Sequence, residues 1–455
     1  MSFFKAYDMR GRFGTDFDLD TVFKVGMALP DVVGGRNWLV GRDGRASSPA
    51  VRDALVAGLS AAGAKVHDIG LSSTPMVYFF TATDGYDGSV MVTASHNPPS
   101  DNGLKVSRKG ALPVGYADGL DRVERIVAAG SASGCAAHSA APAAESSGTG
   151  ADASALARYI AWQKSATPDP AGLSYAVDCS NGMASLFVHE LFPGAIVLNE
   201  SIDGAFPGHS PNPLKAEARE QIAALVREKG LDCGVVFDGD ADRCMFVDGE
   251  GRFVQPDYLI PVVARATAKN RGGKVVHDVR TSWGATDALR ADGFEPVMVP
   301  VGHAFAKPAM RRTGAVCGGE LAGHYYFGEF FGCDSGALAA RRILSEIAAA
   351  KSRGATFAEM MAPISGKYSN SGELNFRVDD KDAAIARILE ASAKFGAEKA
   401  RSEIDGVRAE FGPGWISVRK SNTEPYLRLI AECDSPGRLA EWVELLSDAA
   451  GGRPE

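Results

Sequence analysis

Three stretches of the chain repeat one ordering of apolar and polar positions. They are NWLVGRDGRASSPAVRDALVAGLSAAGAKVHDIG from Asn37, SYAVDCSNGMASLFVHELFPGAIVLN from Ser174 and KVVHDVRTSWGATDALRADGFEPVMVPVG from Lys274. Each runs from a short apolar strand through a polar loop into a helix-length segment with spaced apolar positions, then into a second strand, as a βαβ unit does. Each is continued by one more apolar strand that ends in a polar loop: GSVMVTASHNP, GVVFDGDADR and GAVCGGELAGH. The pattern predicts a three-fold structural repeat of α/β units with slight identity among the copies. The tail breaks it. GELNFRV and GWISVRKSNTEPYLRLIAE read as strands, and KDAAIARILEASAKFG and PGRLAEWVELLSDAA read as helices, giving a smaller α+β unit. The expected divisions are 1–154, 155–252, 253–366 and 367–455. Ala128 to Ser154 is almost all Ala, Ser and Gly, and is expected to be a linker or surface excursion; Cys135 and His138 fall within it.

Length and composition add limits. A chain of 455 residues has room for about three compact units and for large cores without staples. Hydrophobic residues at 45% and charged residues at 23% are those of a globular protein. Lys plus Arg at 48 against Asp plus Glu at 56 leaves a net charge of -8, which argues against nucleic acid as the partner. The seven cysteines are scattered without a CxxC pair, which fits a reducing compartment. MSFFKAYDMRGRFG carries charges where a signal peptide is apolar, and no apolar run approaches the ~18 residues of a membrane span. The expectation is a cytoplasmic protein, away from the membrane.

The polar loops hold the candidate chemistry. In VMVTASHNPPSDNGLKV, Ser95 follows an apolar strand and sits in a tight loop closed by Asn97-Pro98. Ligands of open α/β sheets gather at the carboxyl ends of strands. A serine hydroxyl needs a base, a metal or positive neighbours to act as a nucleophile, and His96 and Lys105 are the local candidates. Taken alone, a turn serine that caps a helix explains this loop as well. GVVFDGDADRC places Asp238, Asp240 and Asp242 at alternate positions after another strand, so that three carboxylates can converge on one hard cation such as Mg²⁺. A calcium loop is excluded, because Arg243 and Gly249 stand where it requires Gly and Glu. Arg243 points to a phosphate as the second guest. GGELAGHYYF offers Glu320 and His324 in a Gly-rich loop, where a carboxylate can accept two sugar hydroxyls at once. RKSNTEP offers Arg419, Ser421, Asn422 and Thr423, the inventory of a phosphate cradle or of a polar hairpin turn.

In this order, from AYDMRG at 6–11 through TASHNP, DGDADR and GELAGH to RKSNTEP, the chain resembles the α-D-phosphohexomutase superfamily, and within it the bacterial phosphomannomutase/phosphoglucomutase branch. The resemblance spans nearly the whole chain. It implies three similar α/β domains with mixed sheets and a smaller α+β C-terminal domain, arranged around one central cleft. Ser95 would then be the phosphoserine, and Ser95, Asp238, Asp240 and Asp242 the Mg²⁺ ligands. Lys105, His96 and Arg10 would be catalytic. Tyr7, Arg243, Arg280 and His303 would line the substrate's path, Glu320 and His324 would meet the sugar, and Arg419, Ser421, Asn422 and Thr423 would hold the phosphate that is not reacting. The implied partners are small hexose phosphates, the implied activator and intermediate is a hexose 1,6-bisphosphate, and a monomer is the default. Three positions depart from the family pattern: Met9 for isoleucine, Ala322 for serine and Arg280 for lysine. The alternatives are a phosphoglucosamine mutase, a metal-dependent sugar phosphomonoesterase and a non-catalytic sugar-phosphate binder.

Overall fold

The computed structural model describes residues 3–130, 150–268, 272–421 and 426–454. Its three α/β sheets share one strand order. In the first, the central strand Asn37–Arg42 has parallel neighbours Lys65–Leu71 and Gly88–Val92, and the order continues through antiparallel Asp101–Arg108 to Met9–Arg12. The second repeats this around Tyr175–Asp178, with Ile196–Leu198 and Cys233–Phe237 parallel to it and Cys244–Asp248 and Phe253–Val254 beyond. This sheet reaches past the expected division at 252, because Phe253 pairs with Val247. The third repeats it around Gly273–Asp278, flanked by Phe294–Val299 and Cys317–Gly319, then Tyr325–Phe327 and Cys333–Asp334. All three sheets are mixed, as the resemblance implied.

The apolar runs form strands here because both faces of each sheet are covered. Gly88–Val92, Tyr175–Asp178 and Cys233–Phe237 are buried at every position. One continuous apolar core joins the three units, running through Leu39, Phe79, Tyr159, Phe237, Tyr325, Phe330 and Phe357. Phe79 and Phe330 stack at 6.5 Å, with Trp162 5.1 Å from Phe330. Part of the Ala/Ser/Gly-rich stretch, including Cys135 and His138, lies outside the described residues. Its far end returns to the first sheet, where Leu71 N donates to Gly150 O at 3.2 Å and Asp152 N donates to Ile69 O at 3.1 Å.

The fourth unit is built separately. Gly414–Lys420 and Tyr426–Cys433 pair antiparallel and are flanked by Val407–Glu410 on one side and Leu374–Arg377 on the other. The helices Lys381–Ser392 and Pro436–Ala450 supply its own core with Ile388, Trp442 and Leu446. Its contact with the third unit is rich in polar groups. Arg408 donates to the carbonyls of Val279 and Thr281 at 2.6 and 3.0 Å, Trp283 N donates to Glu432 at 2.7 Å, and Val301 N donates to Asp405 at 2.9 Å. Leu321, Trp415 and Ile430 add a minor apolar seam. Interfaces of this kind permit relative motion of domains.

Candidate active site

The three loops that carry the motifs occupy one position in the repeat. Ser95 lies between Gly88–Val92 and Asp101–Arg108, Asp238 to Arg243 between Cys233–Phe237 and Cys244–Asp248, and Glu320 to His324 between Cys317–Gly319 and Tyr325–Phe327. Each loop turns the last parallel strand into its antiparallel return, at the carboxyl end of the sheet. A second repeated device supports them. Asp43, Asp178 and Asp278 stand at the end of each central strand and accept the N–H two residues on, from Arg45 at 3.0 Å, Ser180 at 2.8 Å and Arg280 at 2.7 Å.

Ser95 is buried and adopts φ 51°, the left-handed region that a non-glycine residue enters at a cost. Its N–H donates to Thr93 Oγ1 at 2.8 Å. Arg45 holds the rest of the loop. Its guanidinium donates to the carbonyls of Ser95 at 2.8 Å, Asn97 at 2.7 Å, Pro98 at 2.6 Å and Asp101 at 3.0 Å, while its Nε donates to Asp43 at 3.1 Å. Arg45→Lys keeps the charge but loses this planar fork. We expect kcat to fall roughly 10- to 100-fold with KM changed much less, since the loop loosens around Ser95. Unfolding in urea should show a loss of about 3 kcal/mol. Wild-type kcat in this variant would mean that Arg45 does not position Ser95.

Ser95 Oγ donates to Asp238 Oδ2 at 2.8 Å, and lies 3.3 Å from both His96 Nδ1 and an Arg243 nitrogen that also contacts His96. Asp238, Asp240 and Asp242 are buried, each with an oxygen within 4.8 Å of the others. Burial, together with Asp242 and Asp240, drives the Asp238 carboxyl well above the usual carboxylate range. Lys105 Nζ bridges the other two, at 2.7 Å from Asp240 and 2.6 Å from Asp242, and Thr74 Oγ1 donates to Asp240 at 2.6 Å. Burial alone would lower the Lys105 ammonium, but these two carboxylates outweigh it and raise it. Arg243 Nε sits 3.2 Å from Asp238. Asp240 Oδ1 and Asp242 Oδ1 are buried with no hydrogen-bond partner among the described residues, so the triad fits a divalent cation that would take up these oxygens. Asp242, His324 and Asp334 form a second close group, but Lys307 Nζ already stands 2.8 Å from Asp334.

The loops of the second and third units touch directly, through a backbone bridge of Arg243 with His324. His324 Nδ1 lies 3.1 Å from Glu320 and Nε2 lies 3.5 Å from Asp242. Burial would lower its imidazolium, but Asp242 and Glu320 raise it to about 9. Glu320 accepts from Gly302 N at 2.7 Å and Tyr326 OH at 3.1 Å. His303 opens the helix His303–Thr313, and burial with Lys307 and Lys105 beside it depresses its imidazole well below the usual value. Tyr7 closes the gap from the first unit, its OH donating to Val301 O at 3.1 Å and its ring 5.9 Å from His303. Arg10 donates to Asp8 at 2.6 Å and Asn97 at 3.0 Å, beside the serine loop.

Arg280 and Arg419 lie together at the seam of the third and fourth units, where both reach Glu373. Ser421 N donates to Tyr426 O at 2.9 Å at the same strand tip. Asn422 and Thr423 lie outside the described residues. The expected residues of the first three units are thus brought to one place. The sequence reading passed over Arg45, Thr74, Asp278, Glu373 and Arg428. The Asp-x-Arg spacing shared by Asp43 with Arg45 and by Asp278 with Arg280 was a usable signal, whereas Glu373 and Arg428 read as ordinary strand residues.

This fold and this loop constellation define a four-domain α/β phosphohexose mutase. The chain belongs to the phosphoglucomutase/phosphomannomutase family: models of its α/β/α domains I, II and III match residues 1–133, 156–251 and 255–365, and that of its C-terminal domain matches 373–449. A protein of Xanthomonas campestris pv. campestris (strain B100) named "Phosphohexose mutases" is 40% identical over 445 residues, covering 96% of both chains. A phosphomannomutase of Salmonella montevideo is 36% identical over 456 residues, covering 97% of this chain and 98% of its own. The crystal structure of a phosphoglucomutase/phosphomannomutase family protein from Burkholderia thailandensis superposes with a TM-score of 0.83 at 30% identity, covering 99% of this chain and 98% of that one. The open form of the Paramecium phosphoglucomutase parafusin shares the fold, with a TM-score of 0.74 at 19% identity over 98% of this chain and 94% of its own. No helix among the described residues is long and apolar enough to cross a membrane.

Proposed function

We propose that the chain moves phosphate reversibly between C1 and C6 of glucose and mannose phosphates, through phospho-Ser95 and a hexose 1,6-bisphosphate. The observation that carries this reading is Ser95 Oγ hydrogen-bonded at 2.8 Å to one of three buried carboxylates, with Arg243 and His96 on its other side. A phosphoester at that oxygen would meet positive charge from Arg10, Lys105 and Arg243, the main requirement of phosphoryl transfer. Mg²⁺ held by Asp238, Asp240, Asp242 and the phosphoserine would neutralise charge on the transferring group. His96, 3.3 Å from Ser95 Oγ, would accept the proton of the attacking hydroxyl, and Lys105 and Arg10 would stabilise the phosphoryl group while its bond to Ser95 breaks and the bond to the sugar forms.

The remaining roles divide by unit: 1–154 carries the phosphoserine, 155–252 the metal, 253–366 the sugar contacts of Glu320, His324, His303 and Arg280, and 367–455 the distal phosphate, held by Arg419, Ser421, Asn422 and Thr423. The bisphosphate then turns end for end and returns its other phosphate to Ser95. A fourth domain joined by a polar seam suits this, because it can close to exclude water and open for the turn. The protein would work in the cytoplasm as a monomer.

A coupled assay with Mg²⁺ and catalytic glucose 1,6-bisphosphate tests the reading. Glucose 1-phosphate and mannose 1-phosphate should both be converted without release of inorganic phosphate. Conversion of glucosamine 1-phosphate alone would transfer the chain to the glucosamine mutases. Phosphate release alone would make it a phosphomonoesterase, and binding without turnover a sugar-phosphate binder.

A further inference from the structure

At the seam between the third and fourth units, three arginines share one carboxylate. Glu373 Oε2 accepts from Arg419 at 3.0 Å and Arg280 at 3.5 Å, and Oε1 accepts from Arg428 at 2.9 Å. Arg280 is also paired with Asp278 at 2.7 Å. Burial would raise the Glu373 carboxyl, but the three guanidinium groups lower it, so it stands as an anion. Arg419 Nε is buried without a hydrogen-bond partner among the described residues. Arg280 spends Nε and one terminal nitrogen on Asp278, and Glu373 is met by a terminal nitrogen from each of three guanidinium groups of two domains. A phosphate monoester presents three terminal oxygens and up to twice the charge, which matches them better.

We infer that Glu373 is a built-in substitute for the non-reacting phosphate: it occupies the arginine cradle in the free enzyme and gives it up when a phosphate monoester enters. The inference rests on the reading of Arg419 and its neighbours as the distal phosphate site. Glu373 solves a problem that the cradle creates. Arginines close enough to share one phosphate repel each other when it leaves, and would drive the fourth domain from the third at every release. With Glu373 present, they pass from one anion to another and Arg280 stays tied across the seam. The exchange also weakens apparent phosphate affinity, because part of the binding energy goes into displacing the carboxylate. Weaker binding lets the bisphosphate leave the cradle and reverse its orientation. Glu373 is therefore a positioning residue that sets how tightly the distal phosphate is held.

The test is calorimetric titration of the full chain with inorganic phosphate, in wild type, Glu373→Gln, Glu373→Asp and Arg419→Gln. Glu373→Gln should bind phosphate about tenfold more tightly, since the competing charge is gone. Its KM for hexose 1-phosphate should fall while kcat also falls, because reorientation slows. A merely structural role would instead raise KM or leave it unchanged. Glu373→Asp, which keeps the charge but draws it back by one methylene, should bind phosphate about threefold more tightly. It decides the matter if the Gln variant fails to fold without an anion. Unchanged or weaker phosphate binding in the folded Glu373 variants, with binding lost in Arg419→Gln, would overturn this inference alone. Phosphate binding indifferent to Arg419→Gln would overturn the cradle, and this inference with it.

Discussion

Ser95→Ala is expected to lower kcat by roughly 10⁴-fold or more, because among the described residues Ser95 supplies the hydroxyl that is bonded to Asp238 and flanked by His96 and Arg243. The fold should survive. Ser95 Oγ donates one hydrogen bond to Asp238, and without it Asp238 keeps Arg243 Nε at 3.2 Å and Arg243 N at 3.2 Å. The stability change should therefore be about 1 kcal/mol or less, the worth of one hydrogen bond whose acceptor stays satisfied. Loss of the positive-φ serine gives no relief, since alanine is equally strained there. Mutase assay, urea unfolding and intact-mass analysis after incubation with glucose 1,6-bisphosphate check the three parts. Turnover within a factor of ten of wild type, or phosphate still carried by the variant, would remove Ser95 from the mechanism.

Chelation of divalent cations should reduce activity by roughly 10² or more, reversibly, and Mg²⁺ should restore it. The reason lies in how the triad is balanced. Lys105 and Arg243 already neutralise much of its charge, at 2.6 to 3.7 Å, so the folded chain persists without the cation. What they leave without a hydrogen bond among the described residues are Asp240 Oδ1 and Asp242 Oδ1, the latter with only longer ion-pair contacts, to Arg243 Nε at 3.7 Å and His324 Nε2 at 3.5 Å. A cation that binds these oxygens only in the folded state must also raise the melting temperature as its concentration rises. Asp240→Asn should abolish both the Mg²⁺ dependence of Tm and the recovery of activity. Full activity in excess chelator, together with a Tm indifferent to Mg²⁺, would show that these carboxylates serve structure alone.

Much of this was legible in the linear pattern. Apolar runs of strand length followed by amphipathic segments mark the α/β repeat because a sheet covered on both faces must be apolar throughout. Short-range motifs such as Asp238, Asp240 and Asp242 are readable for a similar reason: their residues lie on one loop, and local spacing dictates their convergence. Arg45 is different. It lies 50 residues from Ser95, and nothing near it marks it as the clamp for that loop, although its Asp-x-Arg spacing recurs at Asp278 and Arg280. Glu373 carried still less signal, because a glutamate opening a strand reads as a solvated edge until its partners are known.

By itself the sequence determined the repeat, the unit that breaks it, and the loops that carry Ser95 and the three aspartates, all of which depend on neighbours within a strand or a loop. Only the tertiary structure decided which charges meet. It joined Lys105 to carboxylates 135 and 137 residues away, and set Glu373 among arginines from two domains. Those pairings arise from sheets stacked on a shared core and a fourth domain docked across a polar seam. Long-range electrostatics follows from where the folded backbone carries each charge, and no local pattern encodes that distance.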